Sequence, residues 1–230
     1  MFDGCRQQPY READTARPLN EYGRAKHHAE RAVAQRPQLL VVRTAALFGP
    51  WDPNNFVAQG LDALRRGEPW LAIGDQTVSP TYVPDLVHAS LDLLIDDERG
   101  LWHVANAGSM RWHDFACRAT KVAGLPPHGV RHIASATAGQ LALAVRPAVS
   151  ALTSNRGLLA LSLNSALERY IRVVTQGMQE ATSEAVFGAL PEVFAAKSGS
   201  SDPRGSVAPG QKPPKAPRSR LNGAVGASLL

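Results

Sequence analysis

A chain of 230 residues, 44% apolar and 20% charged, has room for one large domain or two small ones and the composition of an ordinary soluble globular protein. It has no run approaching 18 apolar residues, no apolar signal region in its first ten, and only Cys5 and Cys117 as cysteines. This pattern sets aside membrane spans, secretion, a disulfide framework and a zinc site, and a reducing cytoplasm is expected. The formal charge of +5 lies in residues 197–230, where six Lys and Arg stand against Asp202. Residues 1–196 are therefore neutral, and the basic tail reads as a solvated extension, not a nucleic-acid-binding surface.

Residues 1–17 are polar, without period, and read as a loop entering a helix over 19–35. Pro18 stands at the helix start, where its missing N–H costs nothing, and Arg36-Pro37 closes it. On this helix Tyr22 and Lys26 are four apart, so they share one face with Cβ atoms about 5–6 Å from each other. A cation beside a phenol favours the phenolate, and such a phenol can give a proton to a carbonyl oxygen while a hydride arrives at the carbon. Only five of the 25 basic residues are Lys, so a compact ammonium at position 26 runs against the chain's own usage. The pair alone is more often the mark of an ordinary helix surface.

Residues 38–44, with Leu39-Leu40-Val41-Val42 as a continuous apolar run, predict a strand buried on both faces, as in a parallel sheet; the sequence before it offers no strand to pair with. Residues 48–54 form a Gly-, Pro- and Asn-rich loop beyond that strand, where ligands bind in open α/β sheets. Asn55 caps a helix over 56–66, a short strand follows at 70–73, and 74–83 is a turn-rich loop. Pro84-Asp85 opens an amphipathic helix to 96, with Asp85 as a first-turn charge. Then come a strand at 101–105, a helix at 112–123 ended by Gly124, a strand at 130–133, and helices at 135–145, 164–174 and 180–190. Of the tryptophans, Trp51 in the loop after the strand reads as ligand-facing and the other three as packing. His27-His28 reads as solvated, and His128 and His132 sit among Pro and Gly, so no metal site is expected.

Eight stretches, in this order, resemble the dTDP-4-dehydrorhamnose reductase family of extended short-chain dehydrogenases. They are Phe2-Asp3-Gly4, residues 18–26, Val42-Arg43-Thr44, Phe48-Gly49-Pro50-Trp51, Asn54-Asn55-Phe56, Asp75-Gln76, residues 79–86, and Arg146-Pro147 ahead of a last helix near Leu167 and Tyr170. The resemblance covers about residues 1–172. It implies an α/β fold: the C-terminal half of a Rossmann-type parallel sheet with a small α/β substrate-binding lobe and a disordered tail. In domain terms, 1–50 is a partial dinucleotide-binding region, 51–174 mainly the lobe, 175–196 an extra helix and 197–230 the tail.

The resemblance also implies the chemistry, which is reduction of a 4-keto deoxysugar nucleotide. Tyr22 protonates the keto oxygen as NADPH or NADH delivers hydride, and Lys26 holds the nicotinamide ribose. Tyr22, Lys26, Thr44 and Ala45 border the cofactor; Ala46, Asn54, Asn55, Phe56, Gln76, Ser79, Pro80 and Thr81 line the sugar-nucleotide side. Where family members often carry a tryptophan this sequence has Ala46, which leaves the particular sugar open. No glycine-rich dinucleotide turn follows any strand, and the Ser or Thr of the catalytic set is absent. The expectation is thus the C-terminal part of a longer reductase, impaired alone, and working as a homodimer or with a missing N-terminal portion. The alternative is a non-catalytic sugar-nucleotide or partner-binding module, similar to the regulatory subunit of methionine adenosyltransferase. A third expectation is a remnant made unstable by an exposed sheet edge.

Overall fold

The computed structural model describes residues 1–36, 38–139, 144–157 and 160–187. The tail expected at 197–230 lies outside the described residues. In chain order the elements are α1 (Glu21–Ala34), β1 (Leu40–Arg43), β2 (Leu47–Phe48), α2 (Phe56–Arg65), β3 (Trp70–Ile73), β4 (Thr77–Val78) and β5 (Thr81–Tyr82). They continue with α3 (Val83–Ile95), β6 (Gly100–His103), β7 (Met110–Arg111), α4 (Trp112–Val122), β8 (Val130–Ile133), α5 (Ser135–Gly139) and α6 (Leu163–Phe187). β1 runs parallel to β6, β2 to β5 and β3 to β8, while β4 and β7 are antiparallel. The fold is α/β with parallel pairing, as expected. Among the described residues no helix is long and apolar enough to cross a membrane.

Two apolar clusters hold it together. The larger joins β2, α2, β3, α4 and α6 through Phe48, Leu61, Trp70, Phe115, Leu167 and Tyr170. The smaller sits between α3 and β6, with Ala89, Leu93, Trp102 and Val104, and Leu40 and Val42 of β1 pack at its side. The lobe is thus well filled and the β1–β6 region thinly covered. Leu40, Val41 and Val42 are only half-buried, against the expectation of burial on both faces, because β1 has a single hydrogen-bonded neighbour among the described residues.

Local chemistry explains the boundaries. α1 begins at Glu21, later than Leu19, because Asn20 takes the N-cap: its Oδ1 accepts the Gly23 N–H at 2.8 Å while its Nδ2 donates to the Val145 carbonyl at 2.9 Å. A Cβ on Gly23 would lie 2.9 Å from Pro18 Cβ, so glycine between Tyr22 and Lys26 lets the entering chain fold tightly onto the helix. The span 74–83, expected as loop, contains β4 and β5, which at two residues each are too short to show a period. The helix expected at 164–174 and the described part of the one expected at 180–190 are one element, α6; residues 188–190 lie outside the described residues. The helix expected at 135–145 is α5, ending at Gly139; residues 140–143 lie outside the described residues.

α2 packs on β3 so closely that a Cβ on Gly60 would sit 1.8 Å from Trp70 Cε2. Gly60→Ala gains about 1 kcal/mol of helix propensity but forces a buried indole out of place, an overpacking cost of about 1–3 kcal/mol. A net loss of up to about 2 kcal/mol is expected, read as a lower denaturation midpoint at constant slope. A raised midpoint would show that Trp70 repacks without strain.

Candidate active site

α1 carries Tyr22 and Lys26 to the surface together. Lys26 Nζ lies 5.4 Å from the centroid of the Tyr22 ring, and Tyr22 is 70% exposed. Both groups can therefore meet one ligand without rearrangement of the fold. Thr44, Ala45 and Ala46 follow the C-terminal end of β1. The Thr44 hydroxyl oxygen is shut off from solvent and has no hydrogen-bond partner, an unmet polar group at the strand end where open α/β sheets bind ligands. Ala46 takes φ of +46°, a left-handed conformation uncommon for a residue with a side chain, and its carbonyl accepts the Thr81 N–H at 3.0 Å. That bend turns the chain from β1 into β2, beside β5.

The remaining expected site residues belong to the lobe. Asn55 is the N-cap of α2: Oδ1 accepts the Val57 and Ala58 N–H groups at 3.0 Å each, while Nδ2 donates to the Gly49 carbonyl at 3.0 Å and the Tyr170 hydroxyl at 3.3 Å. Phe56 packs between Trp70 and Trp112, with centroids 4.9 and 4.6 Å away. The Ser79 hydroxyl donates to the Leu152 carbonyl (3.2 Å) and accepts the Leu152 N–H (3.0 Å), and the Thr81 hydroxyl donates to the Ser79 carbonyl (3.2 Å). Pro80 is fully buried, and Gln76 is buried with its carbonyl accepting the Trp112 N–H at 3.3 Å. Within this set Asn54 is the exposed residue, followed along the surface by Trp51 at 75% exposure.

The structure thus brings Tyr22 to Lys26 and Ala46 to Thr81. Among the described residues no hydrogen bond or ring contact joins Tyr22 or Lys26 to residues 54–81. The side-chain polar groups of Asn55, Ser79 and Thr81 are committed inside the fold, where they shape the loops.

A polar network that sequence reasoning missed fixes α1 against the sheet. Arg43, buried at the end of β1, donates through Nε to Glu30 of α1 at 2.7 Å and lies 3.1 Å from His103 Nε2 of β6. His103 Nδ1 faces the carbonyl oxygens of Tyr10 (3.1 Å) and Thr153 (3.0 Å). Two acceptors at Nδ1 and a guanidinium at Nε2 leave one arrangement: the proton sits on Nδ1 and Nε2 accepts. Burial pushes the imidazole below its usual range, against the pull of Glu12, so this neutral form persists. Phe2 stacks on Tyr10 at 4.0 Å, so residues 1–12, read as irregular, are nonetheless fastened down. A pocket of about 110 Å³ lies between Pro9, His103, Asn106, Leu152 and Ser154. That is well under the roughly 300–1,000 Å³ of a small-molecule site, so it is no seat for a nucleotide sugar.

Glu12 is the clasp of this network. Its carboxylate accepts the His103 N–H (2.9 Å), the Ser154 hydroxyl (2.5 Å) and the Asn155 N–H (2.9 Å). Burial opposes ionisation, but these donors outweigh it and lower its pKa to about 2. A folded pKa below the unfolded value of about 4.3 contributes stability that is complete above pH 5 and is lost as pH falls from there toward 2. Glu12→Gln is expected to cost about 1 kcal/mol at pH 7, after allowing for solvent screening of a partly exposed group, and the cost should shrink at pH 3. A penalty equal at both pH values would show that the carboxylate charge is not what matters.

A Tyr-x-x-x-Lys helix leading into a parallel strand, with an α/β lobe beyond it, defines the later part of a Rossmann-type domain. The chain belongs to the family described as RmlD substrate binding domain, whose model matches residues 1–178. A dTDP-4-dehydrorhamnose reductase of Mycolicibacterium smegmatis is 37% identical over 154 residues, covering 66% of this chain and 46% of the relative. One of Mycobacterium tuberculosis is 36% identical over 162 residues, covering 69% and 52%. The chain therefore spans about half the length of the curated relatives it matches. Among solved structures, dTDP-4-dehydrorhamnose reductase of Bacillus anthracis in complex with NADP superposes with a TM-score of 0.68 at 31% identity, over 75% of this chain and 62% of that one. The Clostridium acetobutylicum enzyme gives the same TM-score at 27% identity.

Proposed function

We propose that the chain supplies the proton-donating and substrate-facing half of an NAD(P)H-dependent reductase of 4-keto deoxysugar nucleotides. The observation that carries this reading is the Tyr22 phenol and Lys26 ammonium on one open face of α1, in a chain whose relatives are named dTDP-4-dehydrorhamnose reductases. The residues present suit a nicotinamide. The unpartnered Thr44 hydroxyl and the small Ala45 would border it at the end of β1, and Lys26 would hold its ribose hydroxyls. That group, when bound, supplies the hydride.

The work of the chain's own residues is proton delivery. As the ketone carbon gains hydride, its oxygen gathers negative charge, and Tyr22 Oη gives up its proton to that oxygen. Lys26, a fixed positive charge beside the ring, stabilises the phenolate left behind until solvent restores the proton. Ala46, where family members often carry a tryptophan, leaves room on the sugar side, and the exposed Asn54 and Trp51 would line its rim.

The test is a chimera in which the unmatched first half of the Mycolicibacterium smegmatis reductase precedes residues 1–230 of this chain. NADPH consumption dependent on dTDP-4-dehydrorhamnose is the expected result. A chimera that binds NADPH and folds, yet turns over no 4-keto deoxysugar nucleotide, would overturn the proposal.

A further inference from the structure

At the N-terminal end of α1 one side chain has two tasks. Asn20 caps the helix by accepting the Gly23 N–H through Oδ1 at 2.8 Å, and its Nδ2 donates to the Val145 carbonyl, 125 residues away, at 2.9 Å. The cap itself does not call for asparagine, since Asp and Ser serve as well there. The second bond does. A carboxylate only accepts, and a Ser hydroxyl is too short to cap the helix and reach another segment at once. Tyr22 follows two positions later, on a helix that buries only Gly23. The ion pair of α1 with the sheet, Glu30 to Arg43, lies about 12 Å further along the axis from Tyr22.

Val145 opens a strap that leads from α1 to the substrate side of the lobe. Arg146 and Pro147 join it to Ala148, and the proline ring fixes φ within this short link, so Val145 cannot swing far from Ala148. From Ala148 onward the strap is bonded on two flanks. On one, the Thr77 N–H donates to the Ala148 carbonyl at 2.8 Å, the Ser150 N–H donates to the Thr77 carbonyl at 2.9 Å, and Leu152 and Ser79 exchange two bonds. On the other, the Tyr10 N–H donates to the Ala151 carbonyl and the Thr153 N–H to the Tyr10 carbonyl, each at 2.8 Å. Gly4 lies so close that a Cβ there would sit 2.6 Å from the Ala148 nitrogen and from Pro147 Cβ. The strap has no room to slide.

The same lobe loop is bonded to the other half of the candidate site, where the Thr81 N–H donates to the Ala46 carbonyl at 3.0 Å. Residues 79–81 are therefore referenced to the end of β1 directly, and to the start of α1 through the strap and Asn20. We propose that Asn20 is a positioning residue: by tying α1 to the strap it sets the Tyr22 phenol at its working distance from a ketone held on the lobe. It acts through Tyr22, not on the substrate. Misplacement of a reacting group by about 1 Å can cost about 100-fold in rate, which gives one peripheral bond its weight. This role rests on the reductase reading; the bond from α1 to the strap does not.

The experiment has two arms. In the chimera, Asn20→Ser and Asn20→Asp each keep a cap and lose the donor to Val145. Each is expected to lower kcat for dTDP-4-dehydrorhamnose by about ten- to a hundredfold, with KM for NADPH unchanged. The melting temperature should stay within about 4 °C. Asn20→Ser added to Tyr22→Phe should cost nothing further, because no phenol proton is left to place. An equal further loss in that background, or turnover by Asn20→Ser at the unmodified rate, would overturn the proposal. In the full chain alone, amide exchange followed by NMR reads the tie without any turnover. There Asn20→Ser should leave the Gly23 amide protected by its new cap and speed exchange at Thr77 and Ser150 by about three- to tenfold. Unchanged exchange at both would overturn the proposal as well. A chimera without ketone reduction, whose exchange arm behaves as expected, would sink the reductase reading and leave the tie standing.

Discussion

Asp85→Ala is expected to lower the stability of the fold by about 3 kcal/mol and its melting temperature by about 6–12 °C. Asp85 is 6% exposed and accepts bonds from both terminal nitrogens of Arg169 on α6, at 2.6 and 2.7 Å, and from Asn106 Nδ2 at 2.6 Å. Asn106 in turn accepts the Tyr82 N–H at 2.7 Å and donates to the Leu161 carbonyl at 2.8 Å. Burial raises the Asp85 carboxyl, but the Arg169 and Asn106 bonds outweigh it and hold it below its usual range. Against an apolar pair of the same size such a cluster is worth little. Removal of one member is costly because the others keep their desolvation without their partner. Arg169 is 33% exposed and recovers some hydration, which places the loss at the lower end of the range for buried pairs. The double change Asp85→Leu with Arg169→Leu should restore most of it. Because the folded pKa is depressed, the contribution is complete above the unfolded value of about 3.9 and vanishes as pH falls through the folded one. Thermal melts of the two variants and the unmodified chain at pH 7 decide it; a loss below about 1 kcal/mol for Asp85→Ala would show that the cluster does not hold α6 to α3.

The same cluster shows where a sequence stops being readable. Asp85 is visible as a first-turn helix charge because that depends on its own neighbours, and it does sit in the first turn of α3. Its partner Arg169 stands 84 positions away, and nothing local announces it. Glu12 and Ser154, 142 apart, are hidden for the same reason. α2 behind its Asn55 cap and the periodic α4 from Trp112 were legible nearly to the residue, and so were the four-residue strands β3 at Trp70–Ile73 and β8 at Val130–Ile133. β4, β5 and β7 were not, since two residues carry no period.

For the candidate site, the i to i+4 spacing made Tyr22 and Lys26 visible, and α1 delivers them as a pair. The lobe residues came from resemblance alone. A sequence match does not distinguish a side chain that touches a ligand from one that shapes the loop, and Asn55, Ser79 and Thr81 have their polar atoms turned inward. The apolar run of β1 predicts a strand, which is there, but not its burial on both faces: Leu40, Val41 and Val42 are half-buried because β1 has one hydrogen-bonded neighbour among the described residues.

Tyr22→Phe in the chimera is expected to lower kcat by about 10²- to 10⁴-fold, the range of general-acid loss, with KM changed by no more than a few-fold. The substitution removes one hydroxyl from a side chain that is 70% exposed and forms no side-chain hydrogen bond among the described residues, so the melting temperature should not move. Lys26→Met should act on the same step by removing the charge beside the phenolate, and, on the proposed role of the ammonium at the nicotinamide ribose, should also raise KM for NADPH. Lys26→Arg is the sharper probe. It keeps the charge but replaces a compact ammonium with a broad planar fork, so retained activity would mean that charge alone suffices, and loss would mean that a point donor is required. Non-additive losses in the double variant would tie phenol and ammonium to one proton-transfer step. Turnover by Tyr22→Phe at the unmodified rate would assign the proton to solvent, and the phenol would then be a binding group only. In that case the face of α1 is better understood as part of a nucleotide-sugar-binding surface, and the catalytic role falls with it.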